Sequence, residues 1–118
     1  MDASDAFDIT KEPPHIREMY GLVPGATPGQ VTQARQMLIA RRLLEKGVRF
    51  VQVWHGGWDH HSNLATGLRN KATECDKPIA ALLTDLKQKG MFDETLIIWG
   101  GEFGRSPTAD GKIGRAHV

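Results

Sequence analysis

The chain has 118 residues, enough for one small domain and too few for two. It is 40% hydrophobic and 25% charged, the balance of an ordinary globular protein. A formal charge of +1 with scattered basic residues argues against a nucleic-acid surface, and no apolar run reaches the roughly 18 residues of a membrane span.

The opening "MDASDAFDIT" is acidic and lacks the apolar core of an export signal. "KEPPHIREMYG" predicts a short helix after Pro14 that ends at Gly21, and "LVPGATPGQ" reads as an irregular linker. "VTQARQMLIARRLLEK", Val31 to Lys46, is rich in helix formers and ends at Gly47. Val31, Ala34, Met37, Leu38 and Leu44 share one side of that helix, while Ile39 and Leu43 lie off the stripe, so more than one face is covered. The pairs Arg41–Arg42 and Lys87–Lys89 are assigned to solvated helix faces.

"VRFVQVW", 48–54, is apolar on both faces, as in a buried parallel strand. Ser62 or Asn63 then caps a helix from Leu64 to about Cys75, which Pro78 kinks or replaces with a new one. Ile79, Leu82, Leu83 and Leu86 keep helical spacing up to Gly90. "ETLIIWGG", 94–101, predicts a second buried strand. Strand, crossover helix and strand favour a right-handed α/β unit with two parallel neighbours. The expected fold class is therefore α/β, a partial parallel sheet with crossover helices. Two strands leave unpaired edges and an uncovered face, so the chain reads as a piece of a larger α/β protein. Cys75, the lone cysteine, excludes an internal disulfide and suits a small buried hydrophobe on a helix.

The last six residues, "IGRAHV", are what ATC GGA AGA GCA CAC GTC encodes, the opening of a widely used short-read sequencing adapter. We expect Ile113–Val118 to be translated adapter, residues 1–112 to be the piece of domain, and His117 to be no ligand.

Three of the five histidines fall in "HGGWDHHSN", residues 55–63, at the expected carboxyl end of the first strand. Ligand-binding loops of α/β sheets gather at such ends. Gly56 and Gly57 permit a sharp turn and close backbone approach. In an extended segment Asp59 and His61 point the same way, a half-site for a divalent ion such as Zn²⁺, while His60 points the other way. The plainer alternative is a loop where Asp59 caps a turn, the histidines are solvated and Trp58 packs. After the second strand, Glu102 is the first carboxylate, and Arg105 suits a bidentate grip on phosphate or sulfate. The alternative is a Glu102–Arg105 pair that only orders its loop.

"GVRFVQVWHGGWDHHSN", "CDKPIAALLTDLKQKG" and "DETLIIWGGEFGRSP" together resemble the bacterial family DUF1501, often labelled sulfatase-like and abundant in planctomycetes; the likeness runs from about Phe7 to Pro107. That family resembles the alkaline phosphatase-like superfamily, which hydrolyses phosphate or sulfate esters or moves phosphoryl groups on an α/β/α sandwich. The resemblance implies that Asp59, His61 and Glu102 are metal ligands and that Arg105 binds substrate. It also implies a divalent cofactor such as zinc, a small anionic ester as substrate, and an exported or periplasmic parent. Glu102–Phe103 departs from the superfamily's usual Asp–His pair, and the nucleophile is expected upstream, outside these residues. Two functions follow: a metal-dependent sulfate or phosphate ester hydrolase, inactive as this piece alone, or a non-catalytic binding or scaffold protein on the same fold.

Overall fold

The computed structural model describes residues 4–60, 62–101, 109–110 and 113–114. Three α-helices dominate it: α1, Pro14–Tyr20; α2, Pro28–Glu45; and α3, Leu64–Gln88. Short 3₁₀ turns lie at Ser4–Phe7, Ile9–Lys11 and Phe92–Glu94. Among the described residues no helix is long and apolar enough to cross a membrane.

Each helix starts and stops for a local reason. Pro14 opens α1 with its φ already helical and no N–H to leave unpaired. At the start of α2, Thr27 and Gln30 form a reciprocal capping box with Pro28 in the first turn. That box extends α2 three residues into the stretch expected to be linker. At the other end of α2, Gly47 takes φ +91, Gly47 N–H donates to the Leu44 carbonyl, and Val48 N–H reaches back to Leu43. A side chain would strain that left-handed turn, which closes the last carbonyls. Gly90 repeats the arrangement after α3, with Met91 N–H on the Leu86 carbonyl.

α3 runs unbroken through Pro78, where a kink or a restart was expected. Pro78 cannot donate to the Glu74 carbonyl, and its ring is buried. Asn63 occupies the cap position with φ +50 and makes no capping side-chain bond, so the helix start is held by other contacts.

The core lies where the helices meet: Ile16 and Tyr20 of α1, Ala34 and Leu38 of α2, and Ala81 of α3, flanked by Met19, Met37 and Leu82. Cys75 is buried on α3 as expected, and burial pushes its thiol pKa up.

The expected α/β architecture is not what forms. No strand is assigned in 48–54 or 95–101, and the parallel pair is replaced by helix-on-helix packing. The strand pairing present among the described residues is a two-residue antiparallel bridge, Ala109–Asp110 with Ile113–Gly114. Phe50 is 79% exposed and Ile98 83% exposed, with Trp54, Leu96 and Trp99 similarly open. The physical reason is the one that makes strands non-local. A helix closes its own hydrogen bonds, whereas a strand needs neighbours on both edges and cover on both faces. The expected partial parallel sheet and α/β/α sandwich are therefore corrected to a helical fold.

The second correction concerns Arg41. Placed on a solvated face by its charge, it is 1% exposed. It lies three residues after Leu38 and seven after Ala34, on the buried stripe of α2. Its Nε donates to Asp85 Oδ2 of α3 at 2.6 Å, and its Nη1 donates to Glu45. Its Nη2 lies 2.7 Å from Glu12 Oε2, an ion pair that falls outside hydrogen-bond geometry. Tyr20 Oη donates to the same Asp85 oxygen at 2.7 Å. Arg42 extends the network, donating to Glu12 Oε1 at 2.5 Å and to the backbone carbonyls of Ala6 and Asp5. The N-terminal turns and all three helices are thus tied to one buried guanidinium.

These groups set the pH range of the fold. Burial alone would raise the Glu12 carboxyl pKa, but the Arg41 ion pair and the hydrogen bond from Arg42 outweigh it and hold the group below its ordinary value of 4.5. Burial, then the bond to Asp85, raises Tyr20 above its ordinary 10.0. A depressed carboxylate stabilises above its unfolded pKa and loses that contribution as pH falls through its folded one; a raised phenol stabilises below its unfolded pKa and loses it as pH rises. Urea midpoints should therefore fall below about pH 4.5 and above about pH 10. Glu12→Gln is expected to flatten part of the acid limb and Tyr20→Phe the alkaline limb; unchanged limbs would contradict these assignments.

Candidate functional site

The loop 55–60 leaves the end of the first apolar segment and lies along one side of α3. Its position is built by residues seven apart on that helix: Gly67, Lys71 and Glu74 follow i, i+4, i+7 spacing and share a face. His55 Nε2 is 2.8 Å from Glu74 Oε1, and Trp58 Nε1 donates to His55 Nδ1 at 3.0 Å. An indole N–H can only donate, so His55 Nδ1 must be the unprotonated nitrogen. Nε2 then carries the proton and donates to Glu74. Both nitrogens of His55 are engaged within the loop and α3. The two rings meet edge to face at 5.4 Å and 81°.

Glu74 also accepts from Lys71 Nζ at 3.2 Å. The His55 bond, then Lys71, lowers the Glu74 carboxyl pKa despite partial burial. From α2, Gln33 Nε2 donates to the Trp54 carbonyl at 3.0 Å, fixing the backbone just before His55. Trp58 is half-buried against these groups, in keeping with a packing role.

Gly57 shows the close approach expected of the glycine pair. It has φ +83, and a Cβ there would lie 2.5 Å from Lys71 Cε. Gly67 plays the complementary part on the helix, since a Cβ would lie 2.6 Å from His60 Nδ1. His60 therefore packs on α3, and its Nε2 is shielded from solvent without a hydrogen-bond partner. Asp59, the next residue back, is exposed. Within a helix Gly→Ala usually adds up to about 1 kcal/mol of stability. Here Gly67→Ala is expected to forgo that gain and dislodge His60, with chemical-shift changes concentrated in 55–60. A full stabilisation with an undisturbed loop would contradict the packing.

Of the expected ligands, Asp59 is placed on the exposed rim of this loop, while His61, Glu102 and Arg105 lie outside the described residues. Among the described residues no group of three His, Cys, Asp or Glu side chains could hold a metal ion. Of the expected ligand set, the described residues therefore include Asp59 alone.

A family model described as a protein of unknown function, DUF1501, matches residues 1–118. The chain belongs to the DUF1501 family. Comparison with curated proteins and with solved structures finds no match. Sequence reasoning on this DUF1501 chain found the loop but missed its support. Lys71 and Glu74 are ordinary helix residues in type, and only their register with Gly67 on one face signals that something rests there.

Proposed function

We propose that this DUF1501 protein is part of a metal-dependent hydrolase of sulfate or phosphate monoesters. In this reading Asp59 and His61 hold a divalent ion, Glu102 adds a further oxygen ligand and Arg105 binds the anionic oxygens. The ion, when bound, polarises the ester or activates its attacker. The observation that supports the reading is the docking of the loop. His55, Trp58, Glu74 and Lys71 satisfy one another, so the loop is fixed next to the exposed residue Asp59. A polar loop with no task has little reason to be held on both sides. We take the chain to be a piece of a longer domain, consistent with the exposure of the large apolar side chains Phe50, Trp54, Ile98 and Trp99.

The test is hydrolysis of aryl phosphate and aryl sulfate esters by the full gene product. Turnover that is abolished by chelation and by Asp59→Ala would support the hydrolase. Absence of turnover with both ester classes, in a metal-loaded and folded protein, would reject it. The second reading is a binding or scaffold protein, and Phe103 in place of a ligand histidine favours it.

A further inference from the structure

A cleft lies away from the loop, between α1, the 3₁₀ turn at Ile9–Lys11 and α2, with a volume of about 700 Å³. Such a volume is in the range of small-molecule sites. Arg17 and Arg35 both line it, Glu18 is the one carboxylate in its wall, and Ile9, Leu22 and Val23 supply apolar surface. Among the described residues neither arginine side chain makes an ion pair or hydrogen bond, in contrast to Arg41 and Arg42 further along α2. The Nε of Arg17 is moreover shielded from solvent with no acceptor. A buried charged donor without a partner is costly, and native proteins rarely keep one unless something else satisfies it.

We infer that this cleft binds a small amphipathic oxyanion: a carboxylate, phosphate or sulfate group held by Arg17 and Arg35, with an apolar body against Ile9, Leu22 and Val23. Two guanidinium forks match planar or tetrahedral oxyanions through paired N–H bonds. Glu18 leaves one net positive charge in the wall, which sets the preference for anions over cations. The inference does not depend on the metal loop, since Asp59 takes no part in the cleft.

The experiment is titration of the full chain with hexanoate, hexyl phosphate and hexyl sulfate, with hexanol and inorganic sulfate as the neutral and the body-less probes. Binding is followed by calorimetry and by the Nε–Hε resonances of Arg17 and Arg35. At least one charged amphipath should shift both resonances and bind about tenfold more tightly than hexanol or inorganic sulfate, and the preferred member identifies the head group. Arg35→Gln, at an exposed position, should weaken it about tenfold without altering the circular dichroism spectrum. No shift with any of the three, equal binding of hexanol or of inorganic sulfate, or full affinity in the folded Arg35→Gln variant would overturn the proposal.

Discussion

Arg41→Ala is expected to cost about 3–5 kcal/mol of folding stability, the usual penalty for removing one partner of a buried ion pair. The magnitude follows from what is left behind. Asp85 is fully buried, its Oδ1 has no partner, and without Arg41 its Oδ2 would keep only the Tyr20 hydroxyl. A carboxylate in that position must either stay charged in an apolar interior or take up a proton. Against a typical total of about 5–15 kcal/mol for a small domain, the loss is large enough to unfold much of the protein. Arg42→Ala should cost less, because Arg42 is more exposed than Arg41 and two of its acceptors are neutral backbone carbonyls rather than a fully buried carboxylate. The pair Arg41→Met with Asp85→Leu should recover part of the loss, since apolar replacement of both partners removes the stranded charge. Urea unfolding followed by circular dichroism measures all three. A cost below about 1 kcal/mol for Arg41→Ala would mean that the guanidinium is not the junction of the helices.

Leu38→Ala is expected to cost about 2–5 kcal/mol, while Ile98→Ser changes stability by no more than about 0.5 kcal/mol. Leu38 is fully buried among Ile16, Tyr20, Ala34 and Ala81, so truncation opens a cavity at the helix junction. Ile98 is 83% exposed and its removal leaves nothing unfilled. The contrast separates two architectures with opposite rankings. A core built on a sheet would make Ile98, in the middle of an apolar run, the costly position. The helical core makes it Leu38. Equal or inverted costs would contradict the packing.

The helices were legible because their signals are local. Pro14, the glycines at 47 and 90 and the spacing of Ala34 and Leu38 each act within a few residues. The early start of α2 was equally readable from Thr27, Pro28 and Gln30, which form a capping box inside a stretch that Pro and Gly made look like linker. The strands were not reliably legible, because composition shows an apolar run but not whether edges and faces have partners. Arg41 was misread for a related reason. It sits on an apolar stripe with a charge that looks solvated alone, and only the opposite charge of Asp85 on α3 explains its burial. In the loop, the motif pointed to Asp59, whereas the groups that fix its setting, Lys71 and Glu74, are distant in sequence and ordinary in type.

The most direct test of the account is the bound-metal content of the full gene product, purified without added metal and again after reconstitution. It would be compared with Asp59→Ala and His61→Ala variants shown to be folded. The account predicts one divalent ion per chain in the parent protein and its loss in both variants. No bound metal after reconstitution, or metal retained in both variants, would contradict it and leave the docked loop a structural feature of a binding protein.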